Sequence, residues 1–297
     1  MTENEKKQKI TADMTMEERW ECYRSTIAEL TIMSDIFARN VLKEKTCTEY
    51  LLETILGEEK VTVLEQVLQM DYKNLQGRSA ILDCVARDRK NRIVNIEIQN
   101  EGEGASPERA RYHSGLMDMN TLNPGQDFDE LPESYMIFIT RDDVLGYELP
   151  IYHIDRIIKE VKDDFMDEAH IIYVNARRQD DTELGRLMHD LHCKNAKDMY
   201  SKVLADRVYE LKETQEGIAV MCKEMDEIYN DGMNRGIEYE RKNTERERDR
   251  ANRAEAQFYN VARLTTLLLK SGRIEECLRA VNDEEYQQKL MEEMHIA

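Results

Sequence analysis

The sequence predicts a mixed α/β fold, strands flanked by helices, with a C-terminal α-helical extension. Three observations predict it. Short β-branched and aromatic runs, "SAILDCVARD", "NRIVNIEIQ", "SYMIFITRDD" and "AHIIYVNAR", are each bounded by polar or turn residues. Helix-start signals, Thr15-x-x-Glu18 and Ser106-Pro107, stand before and between those runs. From about Asp180 the β-branched runs vanish and helical spacing takes over.

In chain order, residues 1–14 are expected to form a disordered leader, and the capping box Thr15-x-x-Glu18 opens a helix that reaches about Met33. "SDIFARNVLKEK" begins a second helix with Ser34 or Asp35 as its N-cap. Thr46-x-x-Glu49 reads as a further capping box before "YLLETILG", where Gly57 is the stop. "VTVLEQVLQMDY" fits strand or helix by pattern; its β-branched opening and the following "NLQGRS" turn favour strand. A hairpin follows, then a helix from Ser106-Pro107 through "ERARYHSGLMDMNTL". "LPIYHIDRII", between the last two strong strands, reads as a minor strand or edge segment.

These elements define an expected domain at 15–180 and a helical region at 181–297. In the latter, Ile218, Met221, Met225 and Ile228 share one helical face, which reads as core packing or the seam of a homodimer. "RKNTERERDR" mixes acids and bases at i,i+4 spacing, as a solvated helix face does.

A formal charge of −19 over 297 residues argues against broad electrostatic binding to nucleic acid, so any such contact is local, metal-assisted or made by a partner. The six cysteines lie far apart without C-x-x-C spacing, as free thiols in a reducing compartment do. No stretch approaches the roughly 20 apolar residues that span a bilayer, and the first residues lack the apolar centre of a signal peptide. A cytoplasmic protein without a membrane partner is expected.

The hairpin "SAILDCVARDRKNRIVNIEIQNEG" carries acids inside both apolar runs, at Asp83 and Glu97, with Gln99 two residues beyond. Side chains alternate along a strand, so Ile81, Asp83 and Val85 share one face while Leu82, Cys84 and Ala86 share the other. Asn95, Glu97 and Gln99 share one face of the partner run. Two readings follow. These residues form the wet face of a strand pair, or Asp83, Glu97 and Gln99 converge in a partly dry site where a divalent cation such as Mg²⁺ keeps both acids ionised.

Taken together, Asp35-x-Phe37, "ILD", "NIEIQ" and the helix bearing "RARYHSGL" resemble the PD-(D/E)XK nuclease family, specifically its transposase-associated, recombination-promoting nuclease branch. The likeness runs over roughly residues 30–178, and the Gly-spaced "EGIAVMCKEMDEIYNDGMNRGIEYER" is similar to the tails of that branch. It implies a restriction-endonuclease-like mixed sheet flanked by helices, and Mg²⁺-assisted hydrolysis of DNA phosphodiesters, with Mn²⁺ as a substitute ion. By the same resemblance Asp83 and Glu97 are metal ligands, the Ile98 backbone carbonyl adds a third, and Gln99 stands where the wider superfamily has lysine. A neutral amide orients water but brings no positive charge. Asp35 matches an acid that reaches a second ion, though an N-cap explains it as well. Arg109, Arg111 and Tyr112 follow a helix N-terminus, where a phosphate can be received; ordinary surface charge and a core tyrosine are the plain alternative.

The competing reading is a nuclease scaffold without hydrolysis, acting as an oligomeric binding module; the missing lysine and the acidic charge favour it. An RNase on the same scaffold is a third. His189-x-x-His192-Cys193 has soft-metal spacing but no second ligand pair, so no zinc site is expected there. His113 and His153 are read as polar or packing residues.

Overall fold

The computed structural model describes residues 10–11, 13–72, 78–100 and 104–296. Most of the expected leader, residues 1–9 and 12, and most of the "NLQGRS" turn lie outside the described residues. The chain divides into two compact units, Met1–Asp226 and Glu227–Ala297.

The first unit opens with helices α1 (Met16–Glu29), α2 (Asp35–Val41) and α3 (Lys45–Leu56), then strands β1 (Val63–Tyr72), β2 (Ala80–Asp88) and β3 (Ile93–Gln99). Helix α4 (Pro107–Thr121) and strand β4 (Ser134–Thr140) follow, then β5 (Ile151–Ile154), the short pair β6 (Ile157–Ile158) and β7 (Asp163–Asp164), and β8 (Ala169–Asn175). Six strands make one sheet in the order β1-β2-β3-β4-β8-β5. β1, β2 and β3 pair antiparallel; β3, β4 and β8 run parallel; β5 closes the edge antiparallel to β8. The edge strand is the one expected in "LPIYHIDRII".

Each face of the sheet is covered, which explains why β3 and β4 are buried almost throughout. On one face Cys84, Ala86, Val94, Ile96, Ile98, Ile137, Ile139 and Val174 pack against α1, α2, α3 and later helices. On the other, Leu82, Ile93, Met136, Phe138 and Tyr173 meet Ala110, Leu116 and Met117 of α4.

Local signals set the helix ends. Thr15 and Glu18 form the reciprocal capping box, Ser106 accepts from the Arg109 N–H ahead of Pro107, and Gly57 ends α3 at φ 66°, which glycine adopts without a Cβ clash. The box expected at Thr46 and Glu49 does not form. Helix α3 starts at Lys45, and Glu49 and Glu53 instead accept the N–H groups of Val63 (2.8 Å) and Val61 (3.0 Å). Those N–H groups stand at the entry to β1, and acceptors from α3 satisfy them.

The strict alternation expected along β2 fails at Asp83. Leu82 belongs to the α4-side core, whereas Cys84 and Ala86 belong to the opposite one. Strand β1 changes sides at the same level: Leu68 and Met70 pack on different clusters, and Gln69 between them sits at φ 53°. The β2–β3 ladder runs from Arg87↔Ile93 to Cys84↔Ile96 and stops there. Past that pair the Ile98 N–H faces the Asp83 carboxylate, whose charged form it favours.

Helices α5 (Glu183–His192) and α6 (Lys202–Glu213) bury Leu187, Met188, Leu191, Leu204 and Val208 in the first core, which carries the compact unit past residue 180 to Asp226. Lys212 donates to the carbonyls of Ala28, Leu30 and Lys194, joining three segments. Helix α7 (Gln215–Lys270) begins with Met221 and Cys222 fully buried and Ile218 and Met225 packed beside them, while Ile228 of the expected stripe is exposed. In the second unit, α8 (Ile274–Asn282) and α9 (Glu284–Glu293) gather Cys277, Ala280 and Leu290 around Leu264 and Leu268 after a turn at Gly272. All six cysteines are free, and among the described residues no helix is long and apolar enough to cross a membrane.

Candidate functional site

Adjacent strands β2 and β3 bring the hairpin acids together. The Asp83 N–H donates to Glu97 Oε1 at 3.2 Å, across the point where the ladder opens. Glu97 is wholly buried, and Asn95 Nδ2 donates to the same Oε1 at 2.9 Å. The second oxygen, Oε2, faces Gln99 Nε2 and Arg109 Nη2, both at 3.5 Å. Asp83 is half-buried; its carboxylate takes Gln69 Nε2 at 3.2 Å, and among the described residues it forms no ion pair with an arginine.

Two acids at this distance and depth disfavour each other's charge. Burial, then the charge of Asp35, pushes the Asp83 carboxyl above the usual range; burial, then Asp83, does the same to Glu97. The influence of Asp35 on Asp83 locates it near the pair. It is the first residue of α2, after an N-cap Ser34 that makes no side-chain cap bond, and it pairs with Arg39 at 3.3 Å. Asp35 therefore caps nothing; its exposed carboxylate acts on Asp83 by charge, and the three acids do not gather their oxygens within 4.8 Å of one another.

This donor set fits a hard divalent cation. It is all oxygen, it carries more negative charge than its depth tolerates, and a bound cation removes the penalty. Ile98 adds to the fit: its N–H points to β2, and a strand residue's carbonyl lies on the same edge, past the last rung.

Of the residues of α4, Arg109 and His113 turn toward Glu97. His113 Nδ1 lies 3.9 Å from Glu97 Oε1, and burial, then Arg109 and Arg78, lowers the imidazole to about 4, so it is neutral at physiological pH. Arg111 comes about 200° further round the helix than Arg109. It lines a separate hollow of about 440 Å³ with Glu108, Ile154, Arg156 and Tyr173. Tyr112 donates to the Arg78 carbonyl and is half exposed. Thus Arg109 is at the carboxylates and Arg111 and Tyr112 are not. Asn95 and His113 are the residues the sequence reading passed over as site components; the period of the strand places Asn95 beside Glu97, and i,i+4 spacing places His113 beside Arg109.

Gly104 closes the site. A Cβ there would collide with Gln99 Oε1, the movable end of a side chain, and would approach Arg109 Nη1 at 3.4 Å. Gly104→Ala is expected to displace the Gln99 amide with little change in melting temperature. Any activity that depends on that amide should fall about ten- to a hundredfold; unchanged turnover would remove Gln99 from the site.

Elsewhere, His189, Asp190 and Cys193 place ligand atoms within 4.8 Å of one another. Asp190 is engaged by the N–H groups of Tyr200 (2.8 Å) and Ser201 (2.7 Å), and His192 Nδ1 is turned to the Met188 carbonyl. The cluster is thus accounted for as a link between α5 and α6. His153 lies on edge strand β5, exposed and away from Glu97.

Neither a curated protein nor a solved structure matches the chain. A family model described as PD-(D/E)XK nuclease family transposase matches residues 34–255, about three-quarters of the length, from the start of α2 through the sheet and into α7. With its mixed sheet, the hairpin acids on adjacent strands and this match, the chain belongs to the PD-(D/E)XK nuclease family of transposases.

Proposed function

We propose that this protein is a divalent-metal-dependent DNA endonuclease that hydrolyses phosphodiester bonds and promotes recombination or transposition. The observation that carries the reading is the meeting of Asp83, Glu97 and Gln99 where the β2–β3 ladder opens. Asp83 and Glu97, with the Ile98 carbonyl, are the ligands; Asp35 would serve a second ion. Mg²⁺ or Mn²⁺ held there would neutralise charge on the phosphate oxygens and acidify water.

The chain's own residues divide the remaining work. Gln99 offers a carboxamide that orients a water toward phosphorus by hydrogen bonding but takes no proton from it. Arg109, 3.5 Å from Glu97 Oε2 and partly exposed, holds the phosphate of the scissile strand. In the acidic chain it stands directly at Glu97, so phosphate affinity is local rather than spread over a surface. Arg111 and Tyr112, facing elsewhere, contact the strand away from the cleaved bond. A cytoplasmic setting agrees with the six free thiols, and association of two copies through the exposed Ile228, Met233 and Ile237 of α7 is part of the same reading.

One observation favours a non-hydrolytic binding module instead: Glu97 is fully covered and already touched by a guanidinium, while no lysine stands at Gln99. Nicking of supercoiled plasmid decides. Cleavage with Mg²⁺ or Mn²⁺ is expected, lost with chelator and in Asp83→Ala; no cleavage with either ion from folded protein would leave the binding module, and a preference for RNA would change the substrate but not the site.

A further inference from the structure

The two oxygens of Glu97 have different surroundings. Oε1 accepts from Asn95 Nδ2 at 2.9 Å and from the Asp83 N–H at 3.2 Å, and His113 Nδ1 stands 3.9 Å away. Oε2 meets only Gln99 and Arg109, each at 3.5 Å, the outer limit of hydrogen-bond length. Among the described residues, two of the buried polar atoms that lack a partner are Asn95 Oδ1 and His113 Nδ1, both on side chains that border this carboxylate. Asn95 is fully buried and His113 nearly so, and interiors rarely leave such atoms unpaired. A carboxamide that gives its N–H₂ to Glu97 and leaves its own carbonyl unpaired serves the carboxylate more than the core.

We infer that Asn95 and His113 are positioning residues: they fix Glu97 through Oε1, so that Oε2 is the oxygen presented to the cation. The inference rests on the reading of Glu97 as a metal ligand. Asn95 sets the rotation of the carboxylate from its own strand, two residues earlier on the same face. His113 limits it from α4, where the imidazole, its Nδ1 3.9 Å from Oε1 and just outside hydrogen-bond range, stops Oε1 from swinging outward. Outer partners of this kind change metal affinity without touching the metal.

Isothermal titration of the full chain with Mn²⁺ tests this, with Asn95→Leu, His113→Phe, His113→Asn and Glu97→Gln beside the wild type. Asn95→Leu keeps the branched shape and removes the amide; His113→Asn keeps a donor near the Nδ1 position. We expect Asn95→Leu and His113→Phe to weaken Mn²⁺ binding about ten- to a hundredfold. His113→Asn should restore binding to within about threefold, and excess Mn²⁺ should restore plasmid nicking in all three. A structural role alone would lower melting temperature and leave the affinity of the folded fraction unchanged. Should Asn95→Leu and His113→Phe bind like wild type while Glu97→Gln does not, the positioning roles are wrong and the metal site stands. Wild-type affinity in Glu97→Gln overturns both readings. If Asn95→Leu does not fold, the His113 pair decides alone.

Discussion

Glu97→Gln is expected to abolish nicking and, in the same protein, to raise the melting temperature of the metal-free form. Loss of one metal ligand should cost at least about a hundred- to a thousandfold in rate, the scale seen when one preorganised electrostatic contact is removed. The gain in stability follows from the sign of the pKa shift. A carboxyl held high in the folded state binds its proton more tightly there than in the unfolded chain. Its contribution is therefore fully present below the unfolded value and is lost as pH rises from the ordinary carboxylate range to about 7. At about pH 8 the metal-free wild type carries that penalty and the neutral glutamine does not. A difference on the order of 2 kcal/mol is expected, or about 4–8 °C for a unit of this size. Thermal melts at about pH 5 and about pH 8, with and without Mn²⁺, would check it. The wild type should gain from the ion mainly at the higher pH, and the variant at neither. Equal melting of the two metal-free proteins at about pH 8 would show that Glu97 is not strained by its surroundings.

Arg92→Met should be among the most destabilising single changes in the chain. Arg92, 4% exposed, stands in the turn of the site hairpin and pairs with Asp88 at 2.7 Å and Glu58 at 2.5 Å. Asp88, 2% exposed, also accepts the N–H groups of Lys90 and Arg92 itself. Removing the guanidinium leaves Asp88 buried without a counter-charge, a loss of about 3–5 kcal/mol. Chemical denaturation would measure it, and the folded fraction should keep its Mn²⁺ affinity because the turn lies at the far end of β2 from Asp83. A loss below about 1 kcal/mol would mean that water reaches Asp88 in place of the arginine. Arg92→Met with Asp88→Asn should recover part of the loss, since the two side chains act as a unit.

The order of elements was legible because helix caps and strand alternation are local. Ser106-Pro107, Thr15 with Glu18 and Gly57 each act within a few residues of themselves, and the structure uses all of them. The approach of Asp83 to Glu97 was legible for the same reason, since a short hairpin fixes which residues oppose each other. The change of face at Gln69 and Asp83 was not, because it depends on a left-handed φ in one strand and on the end of the β2–β3 ladder, where the Ile98 N–H faces a carboxylate. Nor could the sequence rank Arg109 above Arg111. Both follow the same N-terminus, and the rotation of α4 is decided by Ala110, Leu116 and Met117 packing on the sheet. Glu49 looked like half of a capping box until the start of β1 lay within its reach. The end of the first unit at Asp226 follows from side chains of α5, α6 and α7 that no longer carry a strand signal but still fill the strands' core.

The contact of the Asp83 N–H with Glu97 also bears on when this site comes into being. A chain still emerging from the ribosome with only β1 and β2 exposed has one of the two hairpin acids and nothing to bring the other near. Closing β3 onto β2 joins Asp83 to Glu97, and Arg109 and His113 arrive only when α4 has been made. The paired acids thus have no half-built form: closing the hairpin brings them together in one event, and the guanidinium and imidazole join them once α4, which ends at Thr121, has been made.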